Sequence, residues 1–223
     1  MLSPALRIAA KDLRLCLRGA QGLAQTALLG LLVIFVFSLS RRPGEEVPAL
    51  AAAAIFWLST LFSQVLVFSG LYALEEGNGA RLGLAMSPMP PQAVWLGKAL
   101  AGLVLILCCQ LVFAVAVAAF LGQGVAGSPA LGAATVLVVD LGLAGLGSFM
   151  GALASGKTSR ESLLTVIFFP LIIPALLAGI RMLEGVILGV DAGLDWLGLA
   201  GAFAAVFSSA ALVLFPFIYT GEE

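Results

Sequence analysis

The chain has 223 residues, of which 61% are hydrophobic and only 10% charged, with 11 Lys and Arg against 12 Asp and Glu and no histidine. The charges collect in short breaks between long apolar runs, so little water-facing surface remains for a soluble fold. A net charge of −1 offers no electrostatic case for nucleic acid as a partner. The missing histidine removes imidazole metal ligation and the Ser-His-Asp and Cys-His types of catalysis. No catalytic constellation stands out, so the expectation is a non-enzyme with no catalytic residue and no metal ligands.

In chain order, the first element is a separate object. Ser3 can cap a helix that carries Pro4 at its first position. Arg7, Lys11, Arg14 and Arg18 recur at steps of 4, 3 and 4, which lines them up on one face at 3.6 residues per turn. Leu6, Ala10, Leu13 and Leu17 flank that stripe. Residues 3–19 are therefore expected to form an amphipathic helix lying in the membrane interface, its basic stripe toward lipid headgroups or a cytosolic partner.

Six apolar runs follow, roughly 20–40, 48–74, 93–121, 129–154, 163–181 and 196–219, each near the 20 residues that span a bilayer. They consume most of the chain, so residues 1–223 read as one all-α integral membrane domain. With the N-terminus inside, Arg7, Lys11, Arg14, Arg18, Arg81, Lys98, Lys157 and Arg160 fall on the cytoplasmic side, against Arg41, Arg42 and Arg181 outside. The positive-inside rule selects that orientation, with both termini cytoplasmic.

The connection at 75–92 is the longest on the cytoplasmic side. It opens on Glu75 and Glu76, continues through glycines and Arg81, and holds a short apolar piece with Leu82 and Met86 on one face. It closes on Pro88 and Pro90. A short apolar helix at a membrane edge with little of its own chain to bury against suggests docking onto another protein, with Glu75 and Glu76 at the rim. Folding back on the bundle is the alternative.

The spans hold few polar residues: Gln64, Gln110 and Asp140. A carboxylate at a helix centre is costly in lipid, so Asp140 is protonated, paired or facing a wet cavity. The fourth run is glycine-rich, and Gly147 with Gly151 forms a small-xxx-small pair suited to close helix packing. In the fifth run Pro170 and Pro174 remove two backbone donors, which predicts a kink or break. Residues 182–195, rich in glycine and acid, then read as an external, partly re-entrant segment. The cysteines, Cys16, Cys108 and Cys109, read as small packing residues.

One motif misleads. Residues 151–158, Gly-Ala-Leu-Ala-Ser-Gly-Lys-Thr, match the phosphate-binding P-loop letter for letter. That chemistry needs a strand before the loop and a sheet around it, and here a membrane span precedes it.

An interfacial helix, six spans and a loop ending in Pro88-Met89-Pro90 before Ala93-Val94-Trp95-Leu96-Gly97-Lys98 together resemble the permease subunits of ABC-2-type exporters. The stretch from Ala54-Ile55-Phe56-Trp57-Leu58 to Lys98 is similar to the CcmB family, the haem exporter permeases of cytochrome c maturation. So is the stretch from Thr158-Ser159-Arg160-Glu161 into Phe169-Pro170-Leu171-Ile172-Ile173-Pro174. The resemblance implies a permease in the bacterial inner membrane that works as a dimer with a second copy of itself and with a separate CcmA-like ATPase. It implies further association with CcmC-like and CcmD-like membrane proteins, and ATP-driven release of a haem-loaded, CcmE-like periplasmic chaperone. Haem would be cargo of the complex and ATP would sit on the partner subunit, leaving no cofactor on this chain. The loop at 75–92 would be the ATPase-coupling loop; this chain carries Arg81 where the family commonly has an acid. Two other readings stay open: an ABC-2 permease for a lipid, drug or polysaccharide, and a membrane scaffold for haem-handling proteins that transports nothing.

Overall fold

The computed structural model describes residues 1–18, 21–42, 44–76, 80–154 and 161–219. Among these, eight helices run in the order α1 Leu2–Arg18, α2 Gln21–Leu39, α3 Ala49–Glu76, α4 Ala80–Ala85, α5 Pro91–Leu121, α6 Pro129–Ala154, α7 Glu161–Leu188 and α8 Leu194–Tyr219. Six of them (α2, α3, α5, α6, α7 and α8) are long and apolar enough to cross a membrane. The chain is a multi-pass membrane protein with an N-terminal helix that is not a span.

The spans sort by what surrounds them. Helices α3, α5 and α6 pack on one another and form the interior, flanked by α7 and α8 on one side and α2 on the other. On α2, Leu28, Leu32, Phe35 and Val36 face outward, and on α8 so do Val206, Val213 and Phe217. Such bands are stable only against lipid or another apolar surface.

Helix α1 lies against α5. Three faces divide it. Ala5, Ile8, Ala9 and Asp12 are buried, Leu2, Leu6 and Leu17 are exposed, and the stripe of Arg7, Lys11, Arg14 and Arg18 is exposed. The seating depends on Gly97 of α5: a Cβ there would stand 2.8 Å from both the Ala5 carbonyl oxygen and the Ile8 Cβ. The expected amphipathic helix is thus present, and it presents a third face, to the bundle.

Two expectations change at the far side of the bundle. Helix α7 is continuous through Pro170 and Pro174. Both prolines are exposed, while Ile172, Ala175, Ala178, Met182 and Val186 make a buried stripe. That packing holds the helix together across the two missing donors. The segment 182–195 is accordingly not re-entrant: α7 runs on to Leu188, a short turn follows, and α8 begins at Leu194. Gly189 and Gly193, with φ of 69° and 82°, supply the left-handed positions that turn needs. The Asp191 carboxylate accepts the Gly193 N–H at 2.9 Å. Backbone bonds from Gly127 N–H to Val186 O (2.9 Å) and from Ala126 N–H to Ile187 O (3.2 Å) tie the end of α7 to the α5–α6 connection.

The P-loop-like run also resolves. Gly151 to Ala154 form the last turn of α6 rather than a loop, and a Cβ on Gly151 would stand 2.6 Å from the Tyr72 ring. Residues 155–160, including Lys157 and Arg160, lie outside the described residues.

Candidate functional site: two buried polar layers on one helix face

Helix α3 carries Thr60, Gln64, Phe68, Tyr72 and Glu75 at steps of three or four, which puts them along one face. All five are buried. From Thr60 to Glu75 the rise is roughly 22 Å at 1.5 Å per residue. This face passes through two polar layers, one near the α1 end of the bundle and one near its middle.

The layer at the α1 end is ionic. Lys98 of α5, fully buried, places Nζ 2.8 Å from Glu75 Oε1 and 3.3 Å from Asp12 Oδ2. It also donates to the Leu71 carbonyl at 2.7 Å and lies 4.7 Å from the Tyr72 ring centroid. Lys11, 43% exposed, reaches Asp12 Oδ1 at 2.9 Å and Glu75 Oε1 at 3.6 Å. The Tyr219 hydroxyl donates to Glu75 Oε2 at 3.3 Å. Two ammonium groups thus balance two carboxylates, and five side chains from α1, α3, α5 and α8 meet at one point. A buried ion pair of this kind is costly to desolvate and costlier to break, because the survivor is left charged in a dry place. Next to it, Tyr72 OH shares a 3.0 Å hydrogen bond with Ser148 Oγ of α6, Ser148 Oγ donates to the Trp95 carbonyl at 3.0 Å, and Trp95 Nε1 donates to Gly145 O at 3.0 Å. Cys16, beside the cluster on α1, has its thiol pushed up by burial and by the Asp12 charge, with Lys98 opposing. It stays a protonated packing residue.

The middle layer contains one acid and no cation. Gln110 Nε2 of α5 donates to Asp140 Oδ1 of α6 at 3.0 Å and to Thr60 Oγ1 at 3.3 Å. Gln64 Nε2 donates to the Leu143 carbonyl at 2.6 Å. Between the layers stands Phe68. Its ring fills the space that a Cβ on Gly102 of α5 (2.4 Å) or Gly147 of α6 (2.5 Å) would take. Gly147 and Gly151 therefore accept the α3 rings of Phe68 and Tyr72, an internal use of the small-xxx-small pair.

The loop residues divide. Glu75 is not at a rim: it is 3% exposed and lies inside the ion cluster. Its partner Lys98 lies 23 positions away, across the loop, which is why a reading by neighbouring residues put it in water. Met86 is 85% exposed, Pro88 and Pro90 are exposed, and Pro90 is the residue on which α5 starts, with Pro91 at its first position. The side chains of Glu76, Arg81 and Leu82 lie outside the described residues. Leu84 and Met89 face α1 across a groove of about 390 Å³, closed on the other side by Pro4, Arg7, Ile8 and Lys11. Pro170 and Pro174 take no part in either layer, while Gln64, Gln110 and Asp140 come together in the middle one.

Sequence reading missed Asp12, and it took Lys98 for a topology charge. One signal was present: Asp12 is the one acid between residues 2 and 18, and it stands with Ala5, Ile8 and Ala9 on a face of α1 away from the basic stripe.

The fold and these layers define a polytopic helical membrane protein whose interior is pinned at one end by a four-charge cluster. A family model described as CcmB protein matches residues 3–221. The chain belongs to the CcmB family. It is 31% identical over 220 residues to Heme exporter protein B of Rhodobacter capsulatus, covering 91% of this chain and 95% of the relative. It is 27% identical over 220 residues to the protein of the same name from Pseudomonas aeruginosa, covering 96% of each. A 95-residue stretch, 43% of each chain, is 32% identical to that of Escherichia coli.

Proposed function

We propose that this chain is the permease subunit of an ABC transporter complex for cytochrome c biogenesis in a bacterial inner membrane, with both termini cytoplasmic. A separate CcmA-like subunit hydrolyses ATP, and a second copy of the chain completes the membrane core. CcmC-like and CcmD-like proteins join it, and the cycle drives release of a haem-loaded, CcmE-like chaperone. Membrane lipid meets the basic stripe at Arg7, Arg14 and Arg18. Haem is cargo of the complex, and this chain holds none of its own: it has no histidine with which to ligate the iron.

The observation that carries this reading is the anchoring of the loop. Glu75 stands just before it and Lys98 just after it, and the two meet at 2.8 Å. The loop is therefore clamped at both ends to a point shared with α1 and α8. A push delivered by a partner at Leu82 and Met86 would then bear on a point where α1, α3, α5 and α8 meet. Helix-in-groove contact of this sort places the affinity in the apolar side chains.

Co-purification with an ATPase assay tests it. Leu82→Asp with Met86→Asp is expected to release the ATPase subunit while the permease stays in the membrane, and Lys157→Ala to leave ATP hydrolysis largely intact. A loop variant that keeps its partner, with Lys157→Ala abolishing turnover, overturns the placement. On the same preparations, the purified chain alone is expected to show no stoichiometric Soret band; saturation at one haem per chain would overturn the reading that this chain holds no haem of its own.

A further inference from the structure

The middle layer is short of hydrogen-bond donors. Asp140 is fully buried and sits eleven residues from the start of α6 and fourteen from its end (140 − 129 and 154 − 140). At 1.5 Å per residue that is roughly 16 and 21 Å from the two helix ends. An ionised carboxylate is acceptor-only and wants several donors. Asp140 has one, the Gln110 amide on Oδ1. Its Oδ2 is buried without a partner, and so are Gln110 Oε1 and Gln64 Oε1. Thr60 cannot help, because its hydroxyl already donates to the Phe56 carbonyl at 3.0 Å.

The ion cluster shows what a charged carboxylate looks like in this protein. Asp12 Oδ1 and Glu75 Oε1 each face an ammonium, at 2.9 and 2.8 Å. Asp140 faces none. Among the described residues α3 presents Thr60 and Gln64 to this layer and α5 presents Gln110, none of them titratable. Among the described residues the charged groups of the neighbouring helices are engaged elsewhere: Glu75 and Lys98 lie in the ion cluster, Asp195 is in the first turn of α8, and Arg181 of α7 is 46% exposed and bonds Glu184 at 3.2 Å. Turning the Gln110 amide over does not remove the need. Its Oε1 would then face Asp140, and only a protonated acid could donate to it.

We propose that the Thr60–Gln110–Asp140 layer is a proton-binding site, in which Asp140 is held as the neutral acid and its proton is the donor that the layer lacks. The bound proton lets α5 and α6 share a hydrogen bond at the centre of the bundle without burying a net charge there.

The test is infrared spectroscopy of the purified full chain in lipid nanodiscs at pH 7, in sodium-free buffer, as wild type minus Asp140→Asn. The expected result is loss of one protonated-carboxyl C=O band, sensitive to deuterium exchange and unmoved when sodium chloride is added. If the variant instead loses intensity among the ionised-carboxylate bands, the acid is charged and the proposal falls. If the C=O band vanishes on adding sodium at constant pH, the site takes a metal cation and the proposal falls equally. Should Asp140→Asn fail to insert, Gln110→Leu keeps the question open to measurement. Removing the amide that bonds Oδ1 must shift the same C=O band to higher frequency without abolishing it, and an unshifted spectrum overturns the assignment.

Discussion

The two polar layers of α3 solve one problem in opposite ways. Near the α1 end, four charges are brought together and cancel, with Lys11 half in solvent. In the middle, a single acid meets one amide, which also reaches a hydroxyl, with no cation among the described contacts. Depth is the difference. Close to the interface a lysine can be carried in on a long apolar stem and paired, whereas at the centre even a paired charge is expensive. The ionic layer joins four elements that are not neighbours in the chain, and it can therefore transmit displacement among them. The central layer joins spans already packed together, and it sets how they sit. Phe68, between the glycines of α5 and α6, keeps the two apart.

The comparison is broken most severely by removing Lys98. Lys98→Leu leaves two buried carboxylates with only the half-exposed Lys11 between them, and breaking a buried pair in this way costs roughly 3–5 kcal/mol. Proteolysis should cut α1 from the membrane-inserted chain, and cytochrome c yield should fall with it. Adding Asp12→Asn and Glu75→Gln to that variant should restore resistance, because the one charge then left in the cluster, Lys11, is 43% exposed and can turn to solvent. A smaller effect is expected between the layers. Gly102→Ala drives a Cβ into the Phe68 ring and should cost about 1–3 kcal/mol in unfolding by a denaturing detergent, as overpacking does. Phe68→Leu in the same chain should recover most of it. The smallest effect belongs to Lys11→Ala. Its side chain is 43% exposed, so solvent already screens it and the loss should stay within about 1 kcal/mol. A Lys11 variant as damaged as Lys98→Leu would mean that the cluster is not held from inside.

Much of this architecture was legible in the residues. Long apolar runs separated by short charged breaks admit one solution in lipid, and the spacing of Arg7, Lys11, Arg14 and Arg18 identifies the interfacial helix. Gly147 and Gly151 pointed to close packing, and rings from α3 fill that space. The cluster was not legible, for a physical reason. Its pairings join Asp12, Glu75, Lys98 and Tyr219, and no local periodicity encodes which lysine meets which acid. Glu75 read as a solvated loop residue because Glu76 and a glycine stand beside it. Asp12, a lone acid in a basic helix, drew no reading at all. The re-entrant segment failed differently: two prolines in an isolated helix would break it, but a buried stripe from Ile172 to Val186 outweighs them.

The ion cluster also sets an order on biogenesis. Asp12 and Lys98 are 86 positions apart, and Glu75 and Tyr219 are 144 apart. Chains emerge from the ribosome N-terminus first. While α2 and α3 are being inserted, Asp12 has no ammonium from α5 to meet, so α1 waits at the headgroups on its arginines. It can seat only after α5 has entered the bilayer, and the Tyr219 bond can close only once α8 has followed. The burial of α1 therefore follows the entry of α5, and its resistance to protease marks the moment at which the third span is in place.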